Sequence, residues 1–190
     1  MKVLHARMYI FWLFLFCTIR CIEYEPLREK ELQRCLRNPA VVAFLDTIAY
    51  SEGTFNQNGY RTCFTGVLFS NFVDHPRMRH AKRSFCSDAA GRYQFLSSTW
   101  DYISKKMGLK NFQPRNQDRA ALQLIYERSA LDDLKKGRFP LVLKKTASVW
   151  ASFPDAPYGQ PTQRYADLAT FYKKRLHHYN TIFVERGGAQ

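Results

Sequence analysis

Acidic side chains are scarce in this 190-residue chain: 16 Asp and Glu stand against 29 Lys and Arg, a net charge of +13. The imbalance points to a polyanionic partner, whether nucleic acid, an anionic membrane face or an acidic wall polymer. No internal repeat or low-complexity tract is present. No Cys-x-x-Cys pair or Cys/His set has zinc spacing, and no glycine-rich loop could cradle a phosphate, so neither metal nor organic cofactor is expected. Long apolar runs are missing too. The longest, residues 8–19, holds about a dozen residues, short of the roughly 20 that cross a bilayer as a straight helix. What is present is a 46% apolar, 15% aromatic composition, which excludes a wholly disordered chain. The length suits one domain with an extension.

The apolar run follows Lys2, His5 and Arg7 and is closed by Arg20. A positive flank before ~7–15 apolar residues is the pattern of a secretory signal. A buried core helix is the plainer alternative, but the run has no polar face. No Ala-x-Ala cleavage site follows, Ile19-Arg20-Cys21 being the best ending, so both a cleaved signal and a retained anchor over 1–21 stay open. Beyond Cys17 and Cys21 the chain carries Cys35, Cys63 and Cys86. In an oxidising compartment Cys63 and Cys86 could bridge; three unpaired thiols are the equal alternative.

Residues 22–37 are charge-dense, a linker or packing arm with helical character at its end. A folded domain is expected over 38–180, followed by a tail over 181–190. Asn38-Pro39 is a helix start, with a capping side chain followed by a proline suited to the first turn. Val41, Phe44, Leu45, Ile48 and Ala49 then form a one-sided apolar stripe, and Gly53 stops the helix near Glu52. Aromatic and β-branched residues over 60–73, after the Asn58-Gly59 turn signal, predict a short hairpin. Ser98 and Asp101 have capping-box spacing, and Gly108 closes that helix. Further helices are expected over 116–128, 131–136, 141–151 and 163–177, with a proline-stiffened loop over 153–160. The result is an α+β domain, mostly helical, with a small β lobe and a cleft between lobes.

Glu52 is the most informative side chain. It ends an apolar helix, where exposed carbonyls disfavour negative charge and greasy neighbours disfavour ionisation. Both effects raise its pKa and suit a general acid; an idle, exposed glutamate is the alternative. The next carboxylate is Asp74, twenty-two positions on. Glycosidases commonly pair two carboxylates, about 5–5.5 Å apart for retention or 6.5–9.5 Å for inversion. Asp74 could be that partner, although Asp74-His75-Pro76 better suits a turn in which the side chain caps its own backbone. Asp88 is a weaker candidate of the same kind.

Six segments stand in a telling order: Phe44-Leu45-Asp46, Ser51-Glu52-Gly53-Thr54, Asp74-His75-Pro76-Arg77, Ala90-Gly91-Arg92-Tyr93-Gln94, Trp150-Ala151-Ser152 and Tyr158-Gly159-Gln160. Together they resemble the lambda-type phage endolysins, glycoside hydrolase family 104, which are peptidoglycan lytic transglycosylases of lysozyme-like fold. The resemblance covers about residues 40–177 and implies that Glu52 is the catalytic acid. It further implies cleavage between N-acetylmuramic acid and N-acetylglucosamine by one carboxyl group, with 1,6-anhydromuramyl ends as product. Lysozyme-type hydrolysis of the same bond remains an alternative.

On this likeness Tyr93 and Gln94 line one wall of the cleft, and Tyr158 and Gln160 the other; for each the plainer reading is a strand or loop position. Trp150 is assigned to packing. Arg92 either pairs with an acid or faces the peptide carboxylates of the substrate. The implied partners are peptidoglycan glycan strands and the anionic envelope, and a monomer is expected. The signal-like segment, not the likeness, points to export to the periplasm or beyond, with transient anchoring by the N-terminus as an open alternative. The signal-like segment, the charged arm, Phe55 and the lobe cysteines depart from the family pattern. Two rivals are an inactive wall-binding module and a nucleic-acid binder; the latter is disfavoured because no nucleic-acid-recognition pattern occurs.

Overall fold

A computed structural model describes residues 24–82 and 85–187. The segment read as an export signal, with Cys17 and Cys21, lies outside the described residues. Seven α-helices and one two-stranded sheet are present among them: α1 (Glu29–Cys35), α2 (Pro39–Ser51), β1 (His80–Lys82), β2 (Phe85–Ser87), α3 (Ser97–Met107), α4 (Pro114–Glu127), α5 (Leu131–Lys135), α6 (Phe139–Thr146) and α7 (Tyr165–Gly187). A single 3-10 turn spans Gly59–Arg61. This is the expected α+β arrangement.

Helix α2 is the axis of the molecule. The Asn38 carboxamide oxygen accepts from the amides of Ala40 and Val41, and Gly53 reverses the chain with φ +72°. Both ends therefore fall where local chemistry puts them. Between them the expected one-sided stripe is too modest. Apart from Pro39, Val42 and Tyr50 the helix is buried on all sides, and it packs against both α5 and α7. A helix apolar all round belongs inside a fold. Asp46 can join it there because two arginines and a tyrosine meet its carboxylate.

The charged arm is a packing element. Leu32 and Cys35 of α1 are buried, the Leu27 amide donates to Gln123, and Glu29 bridges to Arg115 and Arg119 on α4. Complete burial of Leu32 contributes roughly 1.5–3 kcal/mol.

Four expectations about elements need correction. Residues 60–73 form no regular hairpin; only the isolated bridge Thr62–Leu68 crosses the segment. Gly66, at φ +88°, reverses the chain too tightly for a ladder, while Phe69 and Phe72 turn inward towards Phe112. The sheet lies instead in the basic stretch that follows, with Ala81 opposite Cys86 and His80 opposite Ser87. Helix α3 begins at Ser97 without the Ser98–Asp101 box: Asp101 turns to Arg77, and Asp88 meets the Ser97 amide and hydroxyl instead. Helix α6 starts earlier, at Phe139 with Pro140 in its first turn, and ends at Thr146, so Trp150 stands beyond the helix and the short turn that follows it. Helix α7 outruns its expected end and continues through the presumed tail to Gly187, with Arg175 and Tyr179, four residues apart, both reaching Asp46. Cys35, Cys63 and Cys86 are free thiols, the first two buried, so the suggested Cys63–Cys86 bridge is not formed.

Candidate active site

The site is built where α2 ends. Glu52 caps the helix just after Ser51, and the following turn is locked: Thr54 returns its amide to the Ala49 carbonyl and its hydroxyl to the Arg92 carbonyl at 2.5 Å. That second bond ties the acid-bearing turn to the segment Ala90-Gly91-Arg92-Tyr93-Gln94. Gln117, wholly buried on α4, fixes the same segment from behind. Its oxygen accepts from the Arg92 amide, and its nitrogen donates to the carbonyls of Tyr60 and Phe112. A Cβ on Gly91 would come within 2.3 Å of that oxygen, and the residue sits at φ +78°, so glycine is required.

Glu52 faces a groove of about 560 Å³, within the size range of small-molecule sites. Its lining draws Phe64, Gln94 and Leu96 from one part of the chain and Arg128, Tyr158 and Gln160 from another. The carboxyl is surrounded by protein and meets no cation. The Ser152 hydroxyl donates to Oε1 at 2.6 Å, and the two serine hydroxyls of Ser51 and Ser152 lie 2.5 Å apart. Burial raises the Glu52 pKa to about 7, against the opposing pull of the Ser152 hydroxyl and amide. Such a carboxyl holds its proton near neutrality and can still release it.

Three of the four expected lining residues reach this groove. Gln94 adopts a left-handed backbone, φ +46°, a conformation that costs of order 1 kcal/mol in a non-glycine residue. Its amide nitrogen donates to the Thr62 and Gly91 carbonyls, which leaves the side-chain oxygen for a ligand. Tyr158 lines the groove with its hydroxyl donating to the Ser148 carbonyl at 2.5 Å, and Gln160 lines it too. Tyr93 does not line the cleft. It is 1% exposed, and its hydroxyl donates to Asp118 at 2.7 Å, an oxygen it shares with Tyr60. Its contribution is a backbone carbonyl that accepts from the Trp150 indole at 3.2 Å. Trp150 is core, as expected, with one face on the groove.

Arg92 pairs with an acid: its guanidinium meets Asp46 at 2.6 Å. Arg175 approaches the other oxygen of Asp46 at 2.7 Å, and the ring of Phe55 lies beside both guanidiniums. Asp74 belongs to a different groove, lined by residues from Leu68 to Met78. Burial would raise its pKa, but hydrogen bonds from Arg77, the His75 backbone and the Trp100 indole together hold it below the ordinary carboxylate range. Asp88 is likewise engaged, at the start of α3. Glu52 is the sole acid among the described residues lining its groove.

Sequence reasoning missed Ser152 and Arg128. The former stood in view beside Trp150, a hydroxyl in a shared segment; nothing local marked the latter. Residues 42–178 match the sequence model of the family described as Endolysin. The chain is 40% identical over 139 residues to the endolysin of Escherichia phage lambda, covering 70% of this chain and 88% of that protein. It is also 40% identical over 149 residues to the endolysin of Escherichia phage P2, covering 70% and 90%. The structure of bacteriophage lambda lysozyme complexed with a chitohexasaccharide superposes with a TM-score of 0.68 at 38% identity, over 73% of this chain and 94% of that one.

Proposed function

The chain belongs to the endolysin family, and we propose that it degrades murein by cleaving the β-1,4 bond between N-acetylmuramic acid and N-acetylglucosamine. The observation that carries this reading is a single carboxyl group raised to about 7 in a groove lined by no second acid. The sugar chain held by the superposable lambda lysozyme supports a glycan as the ligand of that groove.

Glu52 enters the reaction protonated and gives its proton to the glycosidic oxygen as the C1–O4 bond breaks. Its carboxylate then takes the proton of the muramic acid C6 hydroxyl as O6 bonds to C1. The ring closes to a 1,6-anhydro sugar, and the carboxyl is restored. Because the nucleophile is tethered to the substrate, no second carboxylate is needed to position water. Ser152 holds the carboxyl in one orientation through both proton transfers. Gln94, Tyr158 and Gln160 contact the sugars, the side-chain oxygen of Gln94 being suited to an N-acetyl N–H or a hydroxyl. The protein acts on the cell wall from the periplasmic side. The segment over 1–21 directs it there, and the +13 charge favours an anionic envelope.

The test is digestion of purified sacculi followed by mass spectrometry. Anhydromuramyl ends are expected, and reducing muramic ends would instead assign water as the nucleophile. Glu52→Gln should lower cleavage by about 10²–10⁴-fold, the range of a general acid, while sacculus binding persists. Wild-type protein that releases no soluble muropeptides would leave a wall-binding module as the correct reading.

A further inference from the structure

One charged side chain in the groove has no part in the scheme above. Arg128 follows the last residue of α4, where its backbone amide closes the helix on Leu124 and Ile125. Its side chain is exposed on the groove wall, the single cation among the described lining residues. The adjacent Glu127 does not compensate it, because that carboxylate is taken by Lys106 at 2.8 Å, by Gln123 and by Tyr102. Among the described residues no carboxylate pairs with Arg128. The guanidinium is nonetheless braced, its Nε donating to the Ser148 hydroxyl at 3.3 Å. The Ser148 carbonyl accepts the Tyr158 hydroxyl, so one residue supports two side chains of the groove lining. With Nε committed to Ser148, the two terminal nitrogens of the guanidinium remain as a two-pronged donor on a residue that lines the groove.

We infer that Arg128 recognises a carboxylate carried by the glycan, and so selects muramic-acid polymers over neutral N-acetylglucosamine chains. The inference rests on the function proposed above and adds the substrate feature that the groove reads. A planar guanidinium matches a carboxylate with two parallel hydrogen bonds, a contact stronger than one between neutral groups. An N-acetylglucosamine chain has no anion to offer. Murein offers one on every second sugar: the lactyl carboxylate itself where the peptide is missing, or the carboxylates of the stem peptide where it is present. Arg92, the other candidate for this task, is taken by Asp46. The setting suits a reversible contact, since an exposed guanidinium exchanges water for a carboxylate without the penalty of a buried charge. A helix C-terminus favours a cation for structural reasons as well, so the test must separate recognition from helix stability.

Binding in the Glu52→Gln background does so, because no turnover intervenes. Dissociation constants are measured for soluble murein strands with stem peptides, for the same strands stripped by an amidase to free lactyl carboxylates, and for chitohexaose. Replacing Arg128 by Gln should weaken binding of a carboxylate-bearing strand at least about tenfold more than binding of chitohexaose, the loss expected for a charge-assisted contact. Arg128→Lys, which keeps the charge at the helix end but not the fork, should recover only part. A loss confined to peptide-bearing strands assigns the stem peptide as the source of the carboxylate, and a loss on stripped strands assigns the lactyl group. Equal losses on all three ligands, or none, would overturn the inference. Failure of wild-type protein to cleave sacculi would instead remove the proposed function and leave this selectivity readable by binding alone.

Discussion

Two acids stand six residues apart, one within α2 and one capping its end, and their surroundings differ in kind. Asp46, in the middle of the helix, is 5% exposed and is met by Arg92 at 2.6 Å, Arg175 at 2.7 Å and the Tyr179 hydroxyl at 2.8 Å. Glu52, at the end, is also enclosed by protein but meets only the hydroxyl and amide of Ser152. Both are drawn away from water, Asp46 fully and Glu52 in part, but their partners differ. A buried carboxylate between two guanidiniums ties α2, α7 and the segment around Arg92 together. A buried carboxyl beside neutral donors keeps its proton to a pH near 7. One helix thus carries a strut and a proton donor, and the difference lies in which charges the fold brings to each.

Removal of the strut should give the largest effect on stability. Asp46→Ala leaves two guanidiniums facing one another in a part-buried site, and urea unfolding should show a loss of about 3–5 kcal/mol. A loss under 1 kcal/mol would mean that the two acids are less different than their partners suggest.

The next effect has the opposite sign. Because the folded-state pKa of Glu52 lies above its ordinary value of 4.5, the folded protein holds a proton that the unfolded chain releases. The stability contributed by this group is therefore complete at pH below 4.5 and declines as pH rises towards 7. The decline approaches about 3 kcal/mol above pH 7. Glu52→Gln should remove it, so the variant should gain on the wild type between pH 5 and pH 8 in urea titrations. Parallel curves for the two proteins would contradict the assignment.

The smallest effect comes from the one polar partner of Glu52. Ser152 favours the ionised carboxyl, so Ser152→Ala should move the alkaline limb of the cleavage profile to higher pH, with a several-fold loss of rate from poorer orientation. A profile that keeps its midpoint would reduce Ser152 to packing.

The legibility of these features in the sequence follows the range of the interactions that make them. Helix α2 was readable at both ends because Asn38, Pro39 and Gly53 act on their own neighbours. The position of Glu52 at its terminus was equally local, and so was the reasoning that burial would raise its pKa. The sheet was misplaced because aromatic and β-branched residues over 60–73 have the composition of strands, yet Gly66 and the pull of Phe112 on Phe69 and Phe72 decide otherwise. Tyr93 was misassigned for a related reason. Adjacency to Gln94 says nothing about which side chain faces inward, and Asp118, twenty-five residues on, claims the tyrosine hydroxyl. Ser152 and Arg128 acquire their roles across distances of 100 and 20 residues, through bonds to Glu52 and Ser148. No pattern short of the fold reveals them.

The contrast between strut and proton donor is tested most directly by a carbon-13 NMR titration of the Glu52 side-chain carboxyl in the intact protein, identified by its disappearance in Glu52→Gln. A midpoint near 7 is predicted. A midpoint near 4.5, the value of an ordinary glutamate, would contradict the account, because the groove would then hold an anion at neutral pH and have no proton to give.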